Sequence, residues 1–154
     1  MRGQRRDAWV RGVRLASYVV GPADGDVVVV VPGLCVSSYL WPACDALDAA
    51  GFRVELVEPP GWPRSARPKP EPDDMAALAG WLADWLSARG LTDVLVIGQS
   101  VGAQLAAHLA TQAPDLRVNA RCTFCAPPAG RCFMIHRGSV PLSVTDPLWI
   151  LASP

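Results

Sequence analysis

The strongest apolar signal in the chain is a run of five valines, Val27–Val31. A β-branched run without a polar position is buried on both faces, as the central strands of parallel sheets are. Pro32 and Gly33 end it sharply. Leu40 to Ala50 reads as a short helix closed by Gly51, and Phe52 to Val57 alternates as a second strand. Pro59 to Pro72 is too rich in Pro and Arg for regular structure and reads as a surface loop, with Trp62 either packing it or lining a pocket. Asp73 and Asp74 stand where a helix is capped. Met75, Leu78, Ala79, Leu82 and Leu86 follow at helical spacing, widened by Trp81 and Trp85, with Gly90 as the terminator. Val94 to Ile97 is another short buried strand, and Leu105, Ala106, Leu109, Ala110 and Ala113 mark a helix stopped by Pro114. Ahead of these, Trp9 to Val20 predicts one or two short strands, a hairpin at a sheet edge. Alternating strands and helices predict an α/β fold: a three-layer sandwich around a mostly parallel sheet.

Composition narrows the function classes. Of 154 residues 51% are hydrophobic, which sets the chain apart from disordered sequences. Fourteen basic and fourteen acidic residues give zero net charge without a basic run, so no nucleic acid or anionic membrane partner is expected. The valine run is far too short to span a bilayer, and Arg2, Arg5 and Arg6 precede no apolar signal segment. The expected compartment is the cytoplasm. Five cysteines, an odd number at irregular spacing, fit reduced thiols better than a disulfide framework.

One motif carries a mechanism. Gly98-Gln99-Ser100-Val101-Gly102 matches Gly-x-Ser-x-Gly, a pentapeptide that recurs by chance. Here a buried strand precedes it directly and a small-residue helix follows, the setting of a nucleophile elbow. Ser100 would then occupy a strained strand-to-helix turn, with Gly98 and Gly102 allowing the backbone to pass closely. The helix starting at Val101 would offer N–H groups and a positive dipole end to a developing oxyanion. The plainer alternative makes Ser100 a helix cap and the glycines turn residues.

From about Trp9 to Ala113 the chain resembles the N-terminal half of an α/β-hydrolase fold protein. The order of features is the family's: the valine strand, the turn Pro32-Gly33-Leu34, a helix near Asp45, the strand Phe52–Val57, the loop Glu58-Pro59-Pro60-Gly61, the Trp81 helix, and Ser100. The resemblance implies a Ser100 nucleophile, an oxyanion hole made by the N–H groups of Leu34 and Val101, and Gly33 beside that hole. It also implies acyl or C–C bond hydrolysis on a small acyl- or ester-type substrate, since members that open epoxides or remove halide use Asp at the elbow. No cofactor is expected. Pro32 stands where many members have His, without removing an N–H that the hole needs.

A serine hydroxyl needs a general base, and the base an orienting acid. The two histidines are His108 and His136. His108 lies eight residues beyond Ser100, about 12 Å along the following helix, and points away. His136, with Asp146 after it, would reverse the family's order of acid and base. Composition shifts after Val118: the only Asn, three of the five cysteines and two of the three Ile fall beyond it. Residues 1–118 are therefore expected to form part of a hydrolase domain and 119–154 an atypical tail. In that tail Arg121 to Cys125 interrupts the next strand and regular structure is absent beyond Ala126. Cys122, Cys125, Cys132 and His136 could be counted as a zinc set on spacing alone, a native extension could cover the sheet edge, or a frameshift near codon 119 could have replaced the rest. The abrupt shift favours the last, with no metal bound. The expectation is an incomplete α/β-hydrolase fold, weakly active or inactive as it stands. The alternative is a noncatalytic fragment that self-associates or pairs with a partner through an open sheet edge.

Overall fold

The computed structural model describes residues 3–34, 37–112, 117–123, 132–135 and 143–144, with side chains described through Gln112. Ten strands and three helices follow in chain order among these residues. They are β1 (Gln4–Arg5), β2 (Ala8–Val10), β3 (Val13–Leu15), β4 (Ser17–Val20), β5 (Val27–Val31), α1 (Trp41–Ala49), β6 (Arg53–Val57), α2 (Met75–Ala88), β7 (Asp93–Gln99), α3 (Val101–Gln112), β8 (Arg117–Thr123), β9 (Cys132–Ile135) and β10 (Ser143–Val144). A single 3-10 turn, Ser38–Leu40, leads into α1.

The main sheet runs β1-β4-β6-β5-β7-β8-β9-β10. Its centre, β6-β5-β7-β8, is parallel, and the strands outside it pair antiparallel. The valine strand shows why the sheet needs two covered faces. Val29 and Val31 pack with Trp85, Leu105 and Leu109, so α2 and α3 cover one face. Val28 and Val30 pack with Tyr18, Cys44 and Leu47, so α1 covers the other. Burying each such side chain stabilises the fold by about 1.5–3 kcal/mol. This is the expected three-layer α/β arrangement. Burial, with a smaller push from Asp45, raises the Cys44 thiol to about 12, so it stays protonated and inert.

The helix ends follow local chemistry. Asp74 Oδ1 accepts from the Ala77 N–H at 2.6 Å, capping α2. At the other end Gly90 has φ +67°, its N–H bonds to the Ser87 carbonyl, and Leu91 N–H bonds to the Leu86 carbonyl. Next to that terminus Glu55, fully buried in β6, is held by Arg89 at 3.0 Å and by Arg53 at 2.6 Å. The Trp9 to Val20 stretch divides. β2 and β3 form a separate hairpin turning at Arg11 and Gly12, both with positive φ, while β4 joins the main sheet.

Beyond α3 the expectation of a broken strand is overturned. β8 lies parallel to β7 over seven positions, from Asp93 opposite Arg117 to Gln99 opposite Thr123, and crosses position 118. β9 pairs with β8, and β10 with β9, so strands continue past Ala126. The reason is that backbone N–H and C=O groups along β7 require partners whatever side chains the next strand carries. The edge beside β7 is therefore covered, and the outer strands of the described sheet, β1 and β10, have two residues each. Among the described residues no helix is long and apolar enough to cross a membrane.

Candidate functional site

The parallel strands β5 and β7 are neighbours, with Val31 opposite Gly98. Their C-terminal ends therefore deliver the Pro32-Gly33-Leu34 turn and Ser100 to one place. Ser100 sits between the last residue of β7 and the first of α3 with φ +54°. Only one other described non-glycine residue, Arg11 in the hairpin turn, has positive φ. For a residue with a Cβ this conformation costs about 1–3 kcal/mol, which the surrounding structure must hold in place.

The glycines show what holds it. A Cβ on Gly98 would lie 2.2 Å from the Gly102 carbonyl oxygen, and one on Gly102 would lie 2.2 Å from the Val31 carbonyl oxygen. The strand, the turn and α3 thus approach closer than any side chain permits. A Cβ on Gly33 would stand 2.5 Å from Gln99 Oε1 and 3.2 Å from Ser100 Cβ, so the β5 turn lies directly against the Ser100 turn. Ser100 and Val101 are half-buried, and Leu34 is 65% exposed. The first turn of α3 closes through the Ala103 N–H, which donates to the Ser100 carbonyl at 3.0 Å, so the N–H groups ahead of it, those of Val101 and Gly102, have no carbonyl of their own helix to bond and carry its positive dipole end.

Polar contacts fix the β5 turn. Gly33 N–H donates to Tyr39 Oη at 2.9 Å, and Tyr39 O–H donates to Gln99 Oε1 at 2.6 Å. The buried indole of Trp62 donates from Nε1 to the Gly33 carbonyl at 2.7 Å. Trp62 is presented by the loop after β6, which Glu58 organises. That buried carboxylate accepts from Ser37 Oγ at 2.6 Å, from the Arg64 N–H at 2.8 Å and from Arg64 Nη1 at 2.8 Å. An open cavity of about 350 Å³ lies beside Leu34, lined by Trp62, Leu78 and the loop prolines, with Arg67 and Glu71 among its polar lining.

The structure brings Ser100, Val101, Gly98, Gly102, Gly33 and Leu34 together. His108 is exposed on α3, eight residues beyond Ser100. His136, Asp146 and Cys125 lie outside the described residues, and of Cys122 and Cys132 only the backbone is described. Among the described residues no group of three or more His, Cys, Asp or Glu is placed to hold a metal ion. The roles of Tyr39 and Gln99 escape a reading of the sequence: Tyr39 links Gly33, six positions before it, to Gln99, sixty positions after it, and such a link leaves no periodic trace.

The fold belongs to a known class. A family model described as the α/β hydrolase fold matches residues 26–140, and the chain belongs to that family. It is 34% identical over 96 residues to a protein of Enterobacter cloacae subsp. cloacae provisionally named carbamate hydrolase RutD; the match covers 61% of this chain and 36% of that protein. Among solved structures it is similar to epoxide hydrolase A from Mycobacterium thermoresistibile, at 27% identity and a TM-score of 0.67 over 77% of this chain and 38% of that one. It also resembles carboxylesterase CesB from Bacillus subtilis in fold, at 24% identity and a TM-score of 0.69 over 78% of this chain and 42% of that one. The chain thus spans about a third of the curated relative's length.

Proposed function

We propose that these residues form the nucleophile-bearing part of a serine hydrolase that acts on an activated carbonyl, with Ser100 as nucleophile and the N–H groups of Leu34 and Val101 as oxyanion hole. The observation that carries this reading is the positive φ of Ser100 in a turn compressed between Gly98, Gly102 and Val31. A plain helix cap does not require that strain; a hydroxyl held at the head of a sheet, beside two backbone donors, does.

In the reaction, Ser100 Oγ bonds to the carbonyl carbon and its proton passes to a base. The oxygen becomes an oxyanion beside Leu34 and Val101. The leaving group departs with a proton, giving an acyl-serine that water hydrolyses. Ester, thioester, amide and activated C–C substrates all fit, and the name of the curated relative adds carbamates. Base and acid remain unassigned within these residues. His108, the only histidine among the described residues, sits about 12 Å down α3. Slow turnover is therefore expected, on the ground that the described residues place no histidine beside Ser100.

A fluorophosphonate probe tests the reading. Prolonged exposure to excess probe modifies Ser100, Ser100→Ala abolishes the adduct, and the rate falls far below that of a serine hydrolase with a complete triad. An adduct unaffected by Ser100→Ala overturns the nucleophile, and labelling at full enzymatic rate overturns the weak turnover.

A further inference from the structure

We propose that Trp62 is a positioning residue for the oxyanion hole, holding the Gly33–Leu34 peptide so that the Leu34 N–H faces the Ser100 turn. This rests on the hole assigned above and deepens it. The argument begins with one peptide plane. The Gly33 carbonyl and the Leu34 N–H belong to the same planar trans unit, so they point to opposite sides and rotate together. Whatever fixes the carbonyl therefore aims the N–H. The Trp62 indole donates to that carbonyl at 2.7 Å, and Trp62 is only 8% exposed, so the bond is shielded from competing water.

Two further contacts make the arrangement specific. The preceding peptide is fixed through its own N–H, which donates to Tyr39 Oη at 2.9 Å. Tyr39 in turn donates to Gln99, next to Ser100. Gly33 is thus gripped on both sides, and the Tyr39 side ties the β5 turn to the Ser100 turn. The grip matters because the turn's own side chains do little to fix the peptide's orientation: Gly33 has none, and that of Leu34 is 65% exposed. A flexible glycine turn left to itself would sample peptide orientations in which the N–H turns away. Trp62 itself is held by the loop that buried Glu58 organises, where the Arg64 N–H donates to Glu58 at 2.8 Å. Trp62 also lines the cavity beside Leu34, so a pure cavity wall is the rival role.

The test uses the full chain and two substitutions. Trp62→Phe removes the donor but keeps an aromatic ring. Trp62→His is the conservative rescue, since the imidazole Nε2–H can occupy the position of the indole Nε1–H. The first readout needs no chemistry at Ser100. The ¹⁵N order parameter of the Leu34 N–H is expected near the rigid value of about 0.85 in the native chain, below about 0.6 in Trp62→Phe, and restored in Trp62→His. Leu82 and Val29 serve as internal controls for an intact core. An unchanged Leu34 value in Trp62→Phe, or a Leu34 N–H already mobile in the native chain, overturns the proposal whether or not Ser100 reacts.

The second readout divides the fluorophosphonate reaction into affinity and rate. Misplacing a catalytic donor by an ångström costs about 100-fold, so Trp62→Phe is expected to lower the limiting rate by about 10- to 100-fold with affinity nearly unchanged. A weaker affinity with an unchanged rate makes Trp62 only a cavity wall and overturns the proposal. Labelling that survives Ser100→Ala instead overturns the nucleophile assignment, and the order parameters then judge the peptide grip by themselves.

Discussion

Substituting Gly102 by alanine sets two known effects against each other at one atom. In the first turn of α3 alanine gains at most about 1 kcal/mol of helix propensity over glycine. The new Cβ would stand 2.2 Å from the Val31 carbonyl oxygen, 2.7 Å from that of Pro32 and 2.8 Å from the Val31 carbonyl carbon, where ordinary contact begins at 3.4 Å. All three are backbone atoms, so no side chain can rotate away. Either the end of β5 or the start of α3 must move by about an ångström. Overpacking of this kind costs about 1–3 kcal/mol, occasionally more, and here it prevails, leaving Gly102→Ala less stable by about 2 kcal/mol. Gly80 supplies the control. It lies inside α2, and a Cβ there meets only the far end of Arg11, at 3.5 Å. Gly80→Ala is expected to stabilise by about 0.5–1 kcal/mol. Urea unfolding reads both: the midpoint falls by about 1 M in Gly102→Ala and rises in Gly80→Ala, with equal slopes. Midpoints that move together in the same direction would refute the close approach of β5, the Ser100 turn and α3.

Other expectations are independent of that turn. Arg89→Met leaves the buried Glu55 carboxylate with Arg53 alone, and is expected to cost about 2–3 kcal/mol by urea unfolding; a change below about 0.5 kcal/mol would contradict the pairing. Peptide mapping after iodoacetamide at pH 8 is expected to find Cys44 unmodified in the folded chain and alkylated in urea. Because burial raises this thiol in the folded state, its neutral form contributes stability below the unfolded thiol value. That contribution is lost as pH rises from about 9 towards 12, and Cys44→Ala is expected to flatten the alkaline limb of the stability profile.

Much of this architecture was legible in the amino-acid order because local chemistry and tertiary packing agree there. Five valines demand cover on both faces and receive it; Asp74 and Gly90 bound α2 as their chemistry requires; the Gly-x-Ser-x-Gly segment falls at the strand-to-helix turn. The continuation past α3 was not legible. Arg121 to Cys125 reads as an interruption of the next strand, yet β8 pairs along β7 through Thr123 because the backbone of β7 sets the demand. The support of the Gly33 turn was hidden for another reason. Trp62 in a proline-rich loop looks like a packing residue, and its hydrogen bond spans 29 positions. The charge inside β6 was likewise invisible: Glu55 fits an alternating strand as an outward residue, and its burial is made possible by Arg53 beside it together with Arg89, brought by the end of α2.

The central claim is that Ser100 reacts beside two backbone donors contributed by different elements. A crystal structure of the phosphonylated chain tests it most directly. The account predicts phosphorus bonded to Ser100 Oγ and the phosphonyl oxygen within about 2.7–3.1 Å of both the Leu34 and Val101 nitrogens. An adduct on another side chain, or a phosphonyl oxygen turned away from both nitrogens, would contradict it.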